Sequence, residues 1–139
     1  MKYKKIPETS YEKYISGWES LNIPYKNGEI ADWHPHNFFI SSNDEYIKLY
    51  YYNPIIGNVG IEKRKITFPE NKEVYISNFP RAIIDLLLNL NKKEIKQLYG
   101  SKNELLSNTD QKLLYEYLMI LKDNENIKDY LKYEYGYIE

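Results

Sequence analysis

The sequence predicts an α+β fold: a small antiparallel three-stranded sheet over about residues 46–77, preceded by one helix and followed by a C-terminal helical bundle. Three observations carry this. Three short runs rich in β-branched and aromatic residues lie between turn signals. At Asn78 the apolar period changes from that of a strand to that of a helix. Beyond it, capping residues recur ahead of apolar faces almost to the end of the chain. Strands and helices segregated in this way pack as helices on one face of a small sheet.

The first helix is placed at about 10–22. Thr9 and Glu12 have capping-box spacing, and Tyr11, Ile15, Trp18 and Leu21 recur on one helical face. Ile23-Pro24 ends it, because the residue before proline is pushed out of the α region. Asn27-Gly28 and His34-Pro35 mark the stretch from Tyr25 to Asn37 as irregular. The strands are placed at Tyr46 to Asn53, Gly60 to Phe68 and Glu73 to Ser77. Their short connections predict an antiparallel meander, with a hairpin turn at Gly57-Asn58-Val59-Gly60.

Asn78 and Pro80 open the next helix, one as a cap and the other at a position whose missing N–H costs nothing. From Phe79 to Leu90 this helix is apolar nearly all round, so it is expected at the centre of the molecule. Arg81, Asp85 and Asn89 form its one polar stripe, read as an i, i+4 ion pair on a wet edge. A short helix follows at about 92–99, stopped by Gly100. Ser107 to Asp110 cap a helix to about Lys122, with Leu113, Leu114, Tyr117, Leu118 and Leu121 inward, and a last helix covers about 125–135.

With 139 residues, 42% hydrophobic and 28% charged content and no repeat, the chain is expected to be a single domain, 1–139. The lack of cysteine rules out disulfides, thiolate metal sites and a cysteine nucleophile. No apolar run approaches the roughly 20 residues of a membrane span, and Met1 to Pro7 has no apolar segment behind its lysines. A cytoplasmic protein with no membrane partner is therefore expected. Residues 1–100 hold 14 Lys and Arg against 12 Asp and Glu, and 101–139 hold 5 against 8. Neither part supplies the basic field that nucleic acid requires, which disfavours such a partner. Sixteen tyrosines suit a recognition surface. Frequent Lys, Asn, Ile and Tyr, with alanine only at Ala31 and Ala82, are equally what an AT-rich genome encodes.

Reactive residue types gather once, at Glu29, Asp32, Trp33, His34 and His36. Imidazoles and carboxylates can hold zinc or move protons, but a catalytic zinc commonly draws three protein ligands from separate elements. The preferred reading is a polar loop in which Trp33 plugs the core, with no metal, no cofactor and no catalytic residue; the alternative is a metal-dependent enzyme. No G-x-S-x-G elbow and no phosphate loop is present. Lys63, Arg64 and Lys65 lie on a strand whose alternate side chains point to opposite faces. They read first as charge protecting a sheet edge, and second as a contact to phosphate or to an acidic partner.

Ile61-Glu62-Lys63-Arg64-Lys65-Ile66, then Val74 to Ser77, then Asn78-Phe79-Pro80-Arg81-Ala82-Ile83-Ile84-Asp85-Leu86-Leu87 resembles part of a known bacterial family. The stretch of about residues 60–89 is similar to the C-terminal domain of abortive-infection antitoxins of the AbiEi type, in which a strand leads into a helix with an Arg-x-hydrophobic-x-Asp-Leu pattern. Family members carry an N-terminal winged helix that binds DNA, and they counter a nucleotidyltransferase-like toxin. Here one predicted helix and an irregular loop precede the strands, too little for a winged helix, so the resemblance implies the second domain alone.

The expectation is a non-enzymatic protein-interaction module of a bacterial or phage conflict system, antitoxin-like, that binds and neutralises a protein partner. Tyr50, Tyr52, Lys63, Arg64, Lys65, Arg81 and Asp85 are its candidate contact residues. The partner is a toxin or, in a phage-encoded inhibitor, a host defence nuclease; no oligomeric state is assigned.

Overall fold

The computed structural model describes residues 2–29, 31, 39–41 and 45–136. Asp32, Trp33, His34 and His36 lie outside the described residues. Among the described residues six short strands come as three antiparallel pairs: β1 (Lys2–Tyr3) with β3 (Ile40–Ser41), β2 (Lys13–Tyr14) with β4 (Tyr50–Tyr51), and β5 (Ile61–Ile66) with β6 (Lys72–Ser77). Among the described residues there are six helices: α1 (Gly17–Leu21), α2 (Phe79–Asn89), α3 (Lys92–Ile95), α4 (Ser101–Leu105), α5 (Asn108–Ile120) and α6 (Glu125–Tyr135). A 3-10 turn, Lys96–Leu98, continues α3.

The mixed α and β character follows the expectation, but the three-stranded meander does not form. Only β5 and β6 pair as neighbours in sequence. β4 turns instead to β2, with Lys13 opposite Tyr51 and Tyr14 opposite Tyr50. A parallel bridge then ties Ile15 to β6: the Ile15 amide donates to Tyr75 O (3.0 Å) and the Ser77 amide to Ile15 O (2.8 Å). The chain between Tyr46 and Leu49 is strand-like only at Tyr46, which bridges in parallel to Lys5.

The N-terminal helix is also shorter than predicted. Residues 10–14 form a tight turn and a strand, with Ser10 and Lys13 bonded across it (2.7 and 3.2 Å). Thr9 caps no helix; its Oγ1 accepts from the Tyr75 amide (3.0 Å). Gly17 takes φ +60°, which an L-residue adopts only at a cost, so no continuous helix passes through it. An ideal Cβ there would stand 2.2 Å from Tyr50 Oη, so the glycine also makes room for that ring.

The C-terminal part follows the sequence closely. Asn78 Oδ1 accepts from the Arg81 amide (2.9 Å) at the start of α2, Ser107 Oγ from the Asp110 amide (3.2 Å) at α5, and Asn124 Oδ1 from the Asn126 amide (2.9 Å) at α6. Gly100, at φ +89°, ends the α3 segment as expected, and α4, which follows it at once, is an additional helix. From Phe79 to Leu87 every residue of α2 is buried. It packs against α1, α5 and α6. A helix dry all round satisfies its backbone internally and buries its whole apolar payload, about 25 cal/mol per Å² of surface removed from water. A second apolar cluster, including Ile15, Ile47, Leu49, Ile66, Val74 and Ile76, lies under the strands.

One carboxylate in this frame titrates against the fold. Glu19, in the first turn of α1, is pushed above the ordinary carboxylate value by burial, opposed by its own backbone amide and by Lys4 and Lys48. The unfolded chain ionises at the ordinary value near 4.5, whereas the folded chain keeps the proton to higher pH. The stability tied to Glu19 is therefore complete below that value and is lost as pH rises through the folded one. Glu19→Gln is expected to melt at a higher Tm than the parent at neutral pH, the two converging below pH 4.5. A parent that is the more stable of the two at neutral pH would show that Lys4 and Lys48 outweigh desolvation.

Candidate functional site

α2 holds a buried ionic knot. The Arg81 guanidinium, with no solvent exposure, donates from Nε to Asp85 Oδ1 one turn later (3.1 Å). Nη2 donates to Tyr14 Oη (2.9 Å), and the same hydroxyl donates to Asp85 Oδ2 (2.9 Å). Nη1 donates to the carbonyls of Gly57 (2.9 Å) and Val59 (2.6 Å). Burial raises the Asp85 carboxyl from its ordinary value, and the adjacent Arg81 charge and Tyr14 hydroxyl oppose that rise. Burial, and then the Asp85 charge, lifts the Tyr14 phenol well above its usual range, so it remains a proton donor.

The i, i+4 pair expected at Arg81 and Asp85 thus exists, but the edge on which it was placed is dry. Only Asn89 of that stripe is exposed, and its Nδ2 donates to Asp85 O (2.7 Å). Burying the pair is tolerable because each charge meets several partners, two of them carbonyls of the loop at 57–60. That loop is not the predicted hairpin turn, since the strands on either side of it do not pair. It is a clamped excursion. At its near end Asn53 Oδ1 accepts from the Ile55 and Ile56 amides (2.9 and 3.2 Å), and Asn53 O from the Gly57 amide (2.7 Å). At its far end Arg81 holds the carbonyls of Gly57 and Val59.

What this scaffold presents is a groove on the surface. A depression of about 360 Å³ runs between Lys48 to Asn53 on one bank and Asp85, Leu88 and Asn89 of α2 on the other. A second, of about 250 Å³, adjoins it through Asn53 and Leu88 and is lined by Ile55, Ile120 and Leu121 among others. Tyr51 is 69% exposed, Tyr52 49%, Ile55 68% and Ile120 45%. Large side chains this open gather around a shared groove instead of lying singly on the surface.

Compared with known proteins, the chain matches no family model, no curated protein and no solved structure.

The structure distributes the predicted contact residues among four places. Tyr50 points inward, over Gly17 and beneath Lys48 Nζ, which lies 4.9 Å from its ring centroid. Tyr52 lies on the groove. Lys63 is on the opposite face of β5 from Arg64, paired with Glu73 Oε1 at 3.2 Å, and Lys65 is exposed. Arg64 is buried, and Arg81 and Asp85 are sealed in the knot. Glu29 closes a turn: its amide donates to Asn27 Oδ1 (2.9 Å) and its carbonyl accepts from the Tyr25 amide (2.8 Å). Among the described residues no cluster of His, Cys, Asp and Glu is arranged to hold a metal ion, and no helix is long and apolar enough to cross a membrane.

Sequence reasoning missed Tyr51, Ile55, Leu88 and Ile120. The pleat was a usable signal for the first, since neighbours along a strand alternate between faces and a buried Tyr50 implies an outward Tyr51. For the others there was none: Leu88 and Ile120 sit on helices whose apolar faces read as core.

Proposed function

We propose that the chain is a non-enzymatic protein-interaction module, antitoxin-like, which binds and neutralises a protein partner through the groove lined by Tyr51, Tyr52, Ile55, Leu88 and Ile120. The observation that supports this reading is the exposure of two tyrosines and two isoleucines around contiguous depressions, one of them, Ile55, on a loop braced from behind by a fully buried Arg81. Tyrosine offers a large contact area at small entropic cost, and its hydroxyl tolerates water until a partner arrives. A braced loop loses little freedom on binding, so more of the contact energy appears as affinity. The likeness of residues 60–89 to the second domain of AbiEi-type antitoxins motivates the choice of a conflict-system partner, a toxin, over other proteins.

Tagged protein expressed in its native host, followed by mass spectrometry and by titration with the recovered partner, tests this. Tyr51→Ala and Ile55→Asp, both at exposed positions, are expected to keep the parent Tm. Each is expected to weaken binding by about 2 kcal/mol or more, the range of interface hot spots. Recovery of no specific protein, or of one that binds both variants as tightly as the parent, would overturn the proposal.

A further inference from the structure

A second cleft lies away from the groove, between the turn after α1 and the outer strand β5. It has a volume of about 230 Å³ and is lined by Ile23, Pro24, Tyr25, Lys26 and the run from Arg64 to Phe68. Among the described residues its charged lining residues are Lys26, Arg64 and Lys65, of which Lys65 lies on the face of β5 opposite Arg64.

Arg64 is the unusual member. Its side chain is 5% exposed, yet it lacks a close counter-ion of the kind that Asp85 gives Arg81. Nη1 donates to Pro24 O (3.1 Å). Nε stands 3.5 Å from the exposed Glu62 carboxylate, and neither Nε nor Nη2 has a hydrogen-bond acceptor among the described residues. The Tyr25 ring, stacked on Phe79 at 3.8 Å, lies 5.5 Å from Arg64 Cζ and supplies only a π-face. A buried guanidinium with vacant donors is costly unless something completes it. The contrast with Arg81 shows what completion looks like in this same fold: a carboxylate, a hydroxyl and two carbonyls.

We infer that this cleft is a binding site for a phosphate-type oxyanion, anchored by Arg64 with Lys26 at its rim. A guanidinium offers paired donors in the plane that a phosphate or carboxylate accepts bidentately, and a lysine adds a mobile point charge at the rim. Two cations favour a dianion over a monoanion. The floor of Ile23, Ile66 and Phe68 leaves apolar space beside the anion, so the natural ligand is a small organic phosphate rather than the bare ion. The site is independent of the tyrosine groove, and neither reading needs the other.

The probe is sodium phosphate, titrated into ¹⁵N-labelled protein at constant ionic strength set with chloride. Saturable amide shifts confined to residues 23–26 and 62–68 are expected, at least tenfold tighter for phosphate than for acetate. Arg64→Gln is expected to abolish saturation. Should that variant fail to fold, Lys26→Ser, at an exposed position, is expected to weaken the phosphate affinity at least threefold with the Tm unchanged. Shifts that stay linear in phosphate, spread over the surface, match acetate in affinity, or persist unchanged in the lysine variant would overturn the inference.

Discussion

Arg81→Leu is expected to lower the unfolding free energy by about 3–5 kcal/mol, the cost of removing one member of a buried ion pair. The loss is not that of a single bond. Asp85, 3% exposed, keeps its carboxylate in a dry site with no cation beside it and with neutral hydroxyls, Tyr14 and Ser16, as its partners. The carbonyls of Gly57 and Val59 lose their shared donor as well. Leucine fills much of the volume but satisfies none of these acceptors. Urea denaturation with a two-state fit measures the effect. The double variant Arg81→Leu, Asp85→Leu is expected to be more stable than Arg81→Leu alone, because it removes the orphaned charge together with its partner. If the double variant is the less stable of the two, the acceptors at 57 and 59, rather than Asp85, carry the energy of the knot. Since the same guanidinium braces the loop that displays Ile55, Arg81→Leu should also raise amide exchange over residues 54–59 in protein that is still folded.

The knot also marks where sequence reading succeeds and where it stops. Local devices were legible. Asn78, and Ser107 of the run Ser107 to Asp110, cap the helices that the sequence places after them. The pair at 81 and 85 is visible from its spacing, because i, i+4 places two side chains on one helical face. Whether that face is wet was not legible, since the groups that make it dry come from Tyr14 and the loop at 57–60, distant in sequence. The same limit explains the sheet. Period and composition identify β4 and β5 as extended, but pairing is a long-range choice, and β4 finds Lys13 and Tyr14 rather than its sequence neighbour. At the N-terminus, Thr9 and Glu12 have the spacing of a capping box, yet long-range bonds of Thr9 to Tyr75 and of Ile15 to β6 hold the segment extended. Context of that kind routinely overrides a local helix preference. In the groove, Tyr52 was read from composition, whereas Ile55 required knowing that its loop is clamped outward.

Gly60→Ala is expected to cost about 2–5 kcal/mol, nearly as much as losing the buried arginine, although it adds one methyl group. Two costs combine. At φ +81° the backbone sits in the left-handed region, which an L-residue enters at about 1–2 kcal/mol. An ideal Cβ would lie 2.8 Å from Arg81 Cβ and 2.9 Å from Asn78 Oδ1. Neither neighbour can yield cheaply. The first is anchored to the α2 backbone, and the second is committed to capping α2 through the Arg81 amide, while the Asn78 amide donates to Gly60 O (2.7 Å). Forcing a methyl into such a contact adds about 1–3 kcal/mol of overpacking. Gly57 provides the control on the same loop: its φ is +61°, but a Cβ there meets nothing within 4 Å. Gly57→Ala should therefore show the backbone cost alone, about 1–2 kcal/mol. Equal destabilisation of the two variants in chemical denaturation would mean that the junction between β5 and the α2 cap is not tightly packed. A clear excess at Gly60 would place the strain at the cap, where loss of the Asn78 bond also frees the start of the helix that carries Arg81.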